Sequence, residues 1–418
     1  MLRPQAATTL RPGQLFIAED FALCELGAPE IWDRMISIAV REQASDLHLT
    51  YQSEGMRIGV RLDGRMHDQG VLPAEVGQRV TNHVKVLSRM ELSERRKPQD
   101  GRLTLDIDGR PIDLRISLLP TSHGEDIAVR VLDRESSLLS VDRLGVSGCQ
   151  LGEIDALINA PSGLILVTGS TGAGKSTTLY ALLQRLTDGS RKCVTIEDPI
   201  EYDLPGVNQA QVNHKIGVDW SMLMRSVLRH DPNVIMLGEI RDPETASAAV
   251  RAANSGRLVL ATSHASYSAA AVESLTALGA HPHFVARALR GVIAQTLVRR
   301  LCPYCTIRLE ETSDFALLED VQHLLNPDER PALSMGRGCP HCRHTGYRSR
   351  LGVFEIMTAD DRTREMVAHN RPAREVYSHA VESGMVTIAQ AGKLSALRGL
   401  TTVEELLNNV SEIWTGGA

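Results

Sequence analysis

Aromatic residues are scarce in this chain of 418 residues, since Phe, Trp and Tyr together make up 4% of it. Basic residues are not in excess either, because the formal net charge at pH 7 is −6. Proteins that bind DNA or RNA usually combine a basic groove with aromatic side chains on which bases stack. The two shortages together argue against a nucleic-acid-binding protein.

Long apolar runs are also missing. The longest strongly apolar stretches, such as residues 164–167, have four or five residues, whereas a membrane-spanning helix needs about 20. The first 13 residues contain two arginines but no apolar core, so they do not resemble a secretory signal. We therefore expect a cytoplasmic chain that reaches a membrane only through partner proteins.

The seven cysteines do not suggest a disulfide framework, because their number is odd and four of them form two Cys-Pro-x-Cys pairs 33 residues apart. Four thiolates from two such pairs suit a tetrahedral zinc ion with a structural role. Unligated buried cysteines and a redox disulfide are the less favoured alternatives. Cys24, Cys149 and Cys193 are predicted to be small core residues. The predicted zinc ligands are Cys302, Cys305, Cys339 and Cys342.

The length predicts two or three domains, since a domain usually has about 100–200 residues. Short alternating strands with Asp-Gly turns at 63–64 and 108–109, together with helices near 31–40 and 76–92, predict a small α+β domain. Further along, near-continuous apolar strands alternate with helices, which indicates a parallel sheet covered on both faces. The predicted division is an unassigned N-terminal segment 1–34, an α+β domain 35–135, a linker 136–147, an α/β domain 148–300, a cysteine-rich segment 301–350 and a helical region 351–418.

Residues 169–176 match the pattern G-x-x-x-x-G-K-[S/T] at every fixed position. They follow an apolar strand and open a predicted helix, which is the setting of a phosphate-binding P-loop. Glycines let backbone N–H groups turn towards phosphate oxygens, and the helix N-terminus favours negative charge. Lys175 is expected to reach the β- and γ-phosphates, and Ser176 to hold Mg²⁺. The predicted nucleotide-binding residues are Gly169, Ser170, Thr171, Gly172, Ala173, Gly174, Lys175, Ser176 and Thr177.

Further polar groups follow later strands. Glu239 follows the apolar run 234–237, where P-loop enzymes place a carboxylate beside the metal. Residues 197–201 hold three carboxylates, one of which is expected to orient the attacking water. His264 follows the strand at 258–262, at the edge where a group that senses the γ-phosphate belongs. Taken singly, a solvated acidic loop and a structural histidine are the alternatives.

Over about residues 30–400, the chain resembles the secretion ATPase superfamily that drives type II secretion and type IV pilus assembly. The tetracysteine insert is typical of the assembly and secretion members of that family rather than of retraction members. Besides the P-loop, the resemblance rests on the motifs Ala44-Ser-Asp-Leu-His48, Gln99-Asp-Gly-Arg102, Leu114-Arg-Ile-Ser117, Glu197-Asp-Pro-Ile-Glu-Tyr202, Asp231-Pro-Asn-Val-Ile-Met-Leu-Gly-Glu-Ile-Arg-Asp242 and Ala294-Gln-Thr-Leu-Val-Arg299.

The resemblance implies an ATP hydrolase with a RecA-like P-loop core, a small PAS-like N-terminal domain, a Cys₄ zinc insert and a helical C-terminal part, which uses ATP, Mg²⁺ and Zn²⁺. Glu201 matches the family's catalytic glutamate, Glu239 its Walker B acid, and His264 the second histidine of its His box. Glu239 and Ser176 are the implied magnesium ligands. The arginines that match the family's phosphate contacts are Arg102, Arg115, Arg225 and Arg229.

The same resemblance implies a homohexamer in the cytoplasm, bound peripherally to the bacterial inner membrane through the platform and assembly proteins of a secretion or pilus machine. No direct contact with nucleic acid is expected.

Three positions depart from the family's pattern. Its Gly-His reads Gly256-Arg257, its His-Thr-Asn reads His264-Ala265-Ser266, and its Gln-Arg-Leu-Val-Arg reads Gln295-Thr-Leu-Val-Arg299. An arginine at 257 keeps a donor for phosphate but does not shuttle protons near neutral pH. These departures favour one alternative, a nucleotide-binding scaffold with weak turnover. Arginines near the cysteines favour another, a DNA-handling motor of the conjugation or type IV secretion kind.

Overall fold

The computed structural model describes residues 11–18, 20, 26–133, 139–309, 313–325 and 329–410. Parts of the predicted N-terminal segment, the linker residues 136–138, the C-terminal residues 411–418 and Cys24 lie outside the described residues. The chain divides into two compact units. The first comprises Met1–Ser137, Arg299–Arg308 and Ser334–Ser349, and the second Leu138–Val298, Leu309–Leu333 and Arg350–Ala418. The predicted six-part division stays a prediction.

A six-stranded antiparallel sheet with two helices forms most of the first unit. Its elements are α1 (Ala28–Arg41), β1 (Asp46–Gln52), β2 (Gly55–Leu62), β3 (Arg65–Leu72), α2 (Ala74–Leu87), β4 (Gln99–Ile107), β5 (Arg110–Pro120) and β6 (Glu125–Asp133). The strand order is β3-β2-β1-β6-β5-β4. Buried and less buried residues alternate along β1 and β5, so one face packs on the core. Trp32, Met35 and Val80 of the helices belong to that core.

Two sequence predictions for this unit need correction. The helix predicted to continue to Leu92 ends at Leu87, because Arg89 takes a left-handed conformation with φ of 57°, and Leu92 is exposed. Strand β3 was not predicted, because it lies at the sheet edge and carries mostly polar residues. The Asp-Gly turns are confirmed, since φ is positive at both residues of each, as in Asp108 and Gly109 at 56° and 77°.

From residue 139 onward, strands and helices alternate. The elements are α3 (Gly148–Ile158), β7 (Gly163–Thr168), α4 (Lys175–Leu186), β8 (Cys193–Glu197), β9 (Val207–Gln211), α5 (Trp220–Val227), β10 (Val234–Leu237), α6 (Pro243–Asn254), β11 (Leu258–Ser263), α7 (Ser268–Ala277), α8 (Pro282–Ala288), β12 (Leu289–Leu301), β13 (Thr306–Arg308), β14 (Ser334–Gly336), β15 (Tyr347–Thr358), α9 (Asp361–Ala368), α10 (Ala373–Glu382), α11 (Ile388–Leu397) and α12 (Val403–Asn409).

The second unit is built on a seven-stranded sheet in the order β15-β12-β7-β11-β10-β8-β9. The neighbouring pairs from β12 to β9 are parallel. Alternate residues of β7 face opposite sides: Leu164 packs in the cluster that contains α5–α8, and Ile165 in the one that contains α3 and α4. The predicted parallel sheet covered on both faces is therefore confirmed, and so is the α/β fold class.

The region predicted as helical from residue 351 begins instead with a strand. In β15 the residues from Leu351 to Met357 are all buried, and the strand pairs beside β12 at the sheet edge. A strand buried on both faces has no alternation, so its apolar run resembles that of a buried helix. The helices α9–α12 follow, as predicted for the rest of this region.

Glu355 of β15 joins three of the surrounding helices. Its carboxylate is fully buried. It accepts hydrogen bonds from the N–H and hydroxyl of Ser268, the hydroxyl of Tyr377 at 2.9 Å and the N–H of Ile388 at 3.2 Å. Four donors satisfy the buried oxygens, so Glu355 is a structural group.

Candidate functional site

The P-loop turns sharply between β7 and α4. Gly169, Gly172 and Gly174 have φ angles of 146°, 82° and 87°. A Cβ at Gly169 would also lie 2.3 Å from the carbonyl oxygen of Gln295. Because such φ angles and such a close approach suit only glycine, the spacing of the three glycines shapes the loop. The loop brings the N-terminus of α4 to the carboxyl edge of the sheet, which is the usual site for a phosphate group.

Lys175 begins α4, and its ammonium group lies against the loop itself. Nζ donates hydrogen bonds to the carbonyl oxygens of Gly169 at 2.6 Å and Ser170 at 3.1 Å, and lies 3.4 Å from Nδ1 of His264. Burial lowers the pKa of Lys175, and the negative charge of Glu239 opposes that shift. The loop thus holds a partly desolvated cation at the position where a P-loop lysine meets phosphate.

His264 and Glu239 continue this series of contacts. Nε2 of His264 lies 2.7 Å from Oε1 of Glu239, and Arg241 contacts Oε2 of the same carboxylate at 2.5 Å. Burial raises the pKa of Glu239, but the hydrogen bond from Arg241 and the charge of His264 outweigh it, so the pKa lies below its ordinary value. Glu239 is therefore ionised at neutral pH, the form that binds a divalent cation.

Hydrogen bonds between strand ends hold these residues at one edge of the sheet. The hydroxyl of Thr168, at the end of β7, accepts from the N–H of Ala265 at 2.9 Å. The hydroxyl of Thr262, near the end of β11, donates to the carbonyl of Gly238 at 2.5 Å. The P-loop, the segment of His264 and the segment of Glu239 are thus linked directly.

Glu197, the first carboxylate of the acidic motif, is a structural group. It is 4% exposed. It accepts hydrogen bonds from the hydroxyl of Tyr180, from Oγ1 of Thr195 at 2.5 Å and from Nε2 of Gln209 at 3.0 Å. A buried carboxylate whose oxygens are taken up by three donors is not accessible to water.

The other two carboxylates of the motif are more accessible. Asp198 lies 3.6 Å from Nε2 of His214 and precedes a cis peptide bond to Pro199. Glu201 is half-buried, and its backbone N–H donates to the hydroxyl of Tyr180 at 3.3 Å. Because Glu197 is buried and Asp198 faces His214, Glu201 remains the candidate for the catalytic carboxylate.

Arg225 and Arg229 lie on α5 and on the short 3₁₀ turn after it, and both are exposed. Arg225 donates to the hydroxyl of Ser221 at 2.8 Å and lies 3.5 Å from Glu244. Arg229 donates to the carbonyl of Arg225 at 2.9 Å. In the described part of the chain, neither forms a hydrogen bond with Glu239, and their phosphate role stays a prediction.

Arg102 and Arg115 are neighbours in the first unit. They face each other across β4 and β5, and Arg115 in turn faces Arg130 of β6. Arg130 forms an ion pair with Asp46 at 3.2 Å. The three arginines lie in one row across the strands, and their positive charges repel one another. Such a row suits an anion. Sequence reasoning missed Arg130, although its exposed position in an alternating strand was a usable signal.

Gln295 is a second residue that sequence reasoning did not assign to the site. It is 3% exposed, and its Nε2 donates to the carbonyl of Ala173 at 2.6 Å. Its motif lies on β12, where Ala294 pairs with Thr168 at the end of β7. Gln295 therefore stabilises the P-loop through its hydrogen bond to the backbone of Ala173.

Arg257 does not occupy a position from which it could contact a phosphate at the P-loop of the same chain. It immediately precedes β11, and its carbonyl accepts from the N–H of Gly163 at the start of β7. Its guanidinium donates to the carbonyl of Ser255 at 2.9 Å. The residue lies at the amino edge of a parallel sheet whose carboxyl edge carries the P-loop, so its guanidinium does not face the P-loop of its own chain.

The four paired cysteines lie in the first unit and converge. The sulfur atoms all lie within 4.8 Å of one another. Cys302–Cys339, Cys305–Cys342 and Cys339–Cys342 are each separated by 3.8 Å. Zn–S bonds of about 2.3 Å in a tetrahedron place sulfurs about 3.8 Å apart. The cluster therefore fits a four-coordinate metal ion.

Backbone groups favour the thiolate at one cysteine of this cluster, Cys342, whereas burial raises the pKa of Cys302 and Cys305. The N–H groups of Cys339 and Gly346 point to the sulfur of Cys342 at 3.2 and 3.3 Å. Burial opposes ionisation, but these hydrogen bonds and those of neighbouring cysteines lower the pKa of Cys342 to about 7. Of the other cysteines, Cys193 is buried as predicted, whereas Cys149 is exposed, because α3 packs through other positions such as Gln150 and Ile154.

Residues 27–408 match the model of the family "Type II/IV secretion system protein". A P-loop after one strand of a parallel sheet, with a carboxylate after another strand two places away at the same edge, defines a nucleoside triphosphatase. The chain belongs to this Type II/IV secretion system family, and the prediction of an ATP hydrolase is confirmed.

Named relatives match most of the chain. It is 39% identical to the Type II secretion system protein E of Pseudomonas aeruginosa over 398 residues, and this alignment covers 94% of this chain and 78% of the relative. It is 37% identical over 396 residues to the Type II secretion system ATPase E of Vibrio cholerae, with the same two coverages. It is 36% identical over 390 residues to the Type IV pilus assembly ATPase PilB of Thermus thermophilus, covering 93% of this chain and 44% of that relative.

Solved structures agree in fold. The pilus retraction motor PilT with bound ADP superposes with a TM-score of 0.61 at 25% identity, over 90% of this chain and 95% of PilT. The ATPase DotB of Legionella pneumophila superposes with a TM-score of 0.66 at 20% identity, over 97% of this chain and 98% of DotB. In the part of the chain that the structure describes, no helix is long and apolar enough to cross a membrane.

Proposed function

We propose that this chain is the ATP-hydrolysing motor of a type II secretion or type IV pilus assembly machine. The family match and the relatives named for those two processes support this proposal. The observation that carries the chemistry is the series of contacts from Lys175 through His264 to Glu239 at the carboxyl edge of the sheet.

In the proposed reaction, a water oxygen attacks the γ-phosphorus of ATP while the bond from that phosphorus to the β–γ bridging oxygen breaks. ADP leaves with the electron pair of the broken bond. Glu201 orients the water and accepts its proton, which then passes to the phosphate product. Lys175 and His264 stabilise the negative charge that grows on the phosphate oxygens.

Magnesium and arginines complete the proposed site. Ser176 and Glu239 are the residues that would hold Mg²⁺, which when bound neutralises charge on the β- and γ-phosphates. Arg102 and Arg115, together with Arg225 and Arg229, would contact phosphate oxygens. The cross-strand row formed by Arg102, Arg115 and Arg130 supports an anion-binding role for that face of the sheet.

The cysteine cluster is proposed to hold Zn²⁺, since four thiolates leave no open position for catalysis. We further propose that the motor is a homohexamer in the cytoplasm. It would bind peripherally to the inner membrane through platform and assembly proteins and would not contact nucleic acid.

The test is the ATPase rate per chain as a function of protein concentration, with and without DNA. A rate that rises with concentration and ignores DNA is expected, because subunits of a ring complete one another's sites. Negligible turnover at every concentration, with nucleotide binding intact, would favour the scaffold alternative or a missing membrane partner, and addition of that partner distinguishes the two. Stimulation by DNA would establish the DNA-handling alternative.

A further inference from the structure

The loop that carries Glu201 joins β8 to β9, and side chains hold it from two directions. On the β9 side, Gln209 donates from Nε2 to the carbonyl of Tyr202 at 3.1 Å and accepts from the N–H of Leu204 at 2.7 Å. On the other side stands α4, the helix that begins at Lys175. The contact from α4 to the backbone of Glu201 is made by Tyr180.

Tyr180 is 2% exposed, and its hydroxyl has two partners. It donates to Oε2 of Glu197 and accepts from the N–H of Glu201 at 3.3 Å. A backbone N–H only donates, so the hydroxyl oxygen accepts from Glu201 and its one proton points to Glu197. A lone pair is then left for the N–H of Glu201, and the direction of both hydrogen bonds is determined.

Glu197 is held in place by its own hydrogen bonds, so its hydrogen bond with Tyr180 determines where the tyrosine hydroxyl lies. Thr195 and Gln209 hold its other oxygen. Burial, and then the hydrogen bond and charge of Glu197, raise the pKa of Tyr180 well above its usual range, so the hydroxyl stays protonated. The ring of Tyr180 also packs edge-to-face on that of Tyr202, with centroids 4.7 Å apart.

We propose that Tyr180 is a positioning residue that holds the backbone of Glu201 in a fixed place relative to the helix of the P-loop. Tyr180 follows Lys175 by five residues on one short helix. That helix therefore carries Lys175, which is proposed to contact phosphate, and through Tyr180 it also holds the backbone of Glu201, which is proposed to orient water. This inference rests on the catalytic role proposed for Glu201. It assigns Tyr180 no contact with substrate.

The variant Y180F tests the proposal, because it keeps the ring and removes both hydrogen bonds. We expect kcat to fall by about 10- to 100-fold, since a displacement of about 1 Å at a reacting group costs about that much. The KM for ATP and the affinity for ADP should stay within about twofold. The matched control is Y377F, which also removes a tyrosine–carboxylate hydrogen bond, to Glu355 in the core, and should leave kcat unchanged.

A double-mutant cycle separates positioning from general destabilisation. If Tyr180 acts through Glu201, Y180F lowers the single-turnover rate of the wild type but causes no further loss in the E201Q background. An equal loss in both backgrounds, a raised KM with unchanged kcat, or an unchanged kcat would each overturn the proposal. If the unfolding of Y180F is not cooperative, that variant is not properly folded and E197Q replaces it in the same cycle. E197Q weakens the contact between Tyr180 and Glu201, because the tyrosine hydroxyl can rotate once the carboxylate that accepts its proton is gone.

The cycle also distinguishes this inference from the proposed function. If E201Q lowers turnover and Y180F does not, the positioning role is wrong and the role of Glu201 survives. If E201Q leaves turnover unchanged, the proposed catalytic carboxylate is wrong, and any loss in Y180F must then have another cause, which overturns the positioning role as well.

Discussion

Nε2 of His264 lies 2.7 Å from Oε1 of Glu239, while Nδ1 of the same ring lies 3.4 Å from Nζ of Lys175. One imidazole therefore contacts both the cation of the P-loop and the carboxylate after the neighbouring strand. Binding of a phosphate group to Lys175 would change the surroundings of His264 and, through it, of Glu239. Through these two contacts, a change in charge at any one of Lys175, His264 and Glu239 affects the other two.

Replacing Lys175 with alanine should abolish nucleotide binding, because the P-loop loses the cation that offsets phosphate charge. Titration with a fluorescent ATP analogue measures this directly. Lys215 is an exposed lysine of the same unit and provides the control K215A, which should bind like the wild type. Unaltered binding by K175A would contradict the assignment of the P-loop.

Replacing Glu201 with glutamine should preserve ATP binding and lower turnover by about 10²–10⁴-fold, the usual contribution of a general base. Binding is preserved because the amide of glutamine has the same size as the carboxylate that it replaces. Phosphate release and equilibrium binding are measured on the same preparation. A variant with wild-type turnover would exclude Glu201 from the reaction.

The carboxylate of Glu239 should make the fold sensitive to acid. Its folded-state pKa is lowered from 4.5, so its contribution to the free energy of unfolding is fully present above about pH 5 and is lost as the pH falls through the folded-state pKa. Urea unfolding of the wild type and of E239Q between about pH 3.5 and 7 tests this. The difference between them should shrink towards acid. E273Q, at an exposed glutamate, should show no such trend.

Removing the metal should loosen the cysteine segments and leave the P-loop intact. Structural zinc sites contribute folding free energy directly, so chelation or C305S should make residues near 302–349 sensitive to protease. Metal content is measured at the same time, and one ion per chain is expected. C149S, at an exposed cysteine, is the control. Loss of nucleotide binding on chelation would show that the cluster also supports the P-loop.

Truncating Glu355 to alanine should lower the free energy of unfolding by about 3 kcal/mol or more, since it removes the carboxylate that accepts from the buried N–H and hydroxyl of Ser268 and the buried N–H of Ile388. Urea unfolding measures the change. E382A, at the exposed end of α10, should stay within about 0.5 kcal/mol of the wild type. A similar loss in both variants would contradict the structural role.

Sequence reasoning predicted the elements whose patterns are local. The strands Cys193–Glu197 and Val234–Leu237 have the predicted bounds, because short apolar runs between polar segments mark buried parallel strands. The end of α2 depended on one left-handed residue, Arg89, which no pattern indicates. Strand β15 could not be predicted from its own apolar run, because its pairing with β12 is what makes it a strand.

For the site, the sequence indicated which residues were polar at strand ends but not which of them touch. The order of strands in a parallel sheet is set by tertiary packing, so the contact between His264 and Glu239 was not predictable from spacing. Tyr180 was missed because a buried aromatic residue usually fills a core, and Gln295 because a glutamine is usually exposed. The hydrogen-bonding role of each depends on the loop that packs on it.

The first unit is assembled from three separated stretches of chain, and the last of them ends at Ser349. During synthesis its six-stranded sheet is complete in sequence once Asp133 has been made. The roughly 200 residues that follow take about 10 to 40 s at about 5–20 residues per second. The cysteine segments therefore reach the nascent sheet only after the P-loop has left the ribosome, so binding of the proposed zinc ion would be a late event in the life of each new chain.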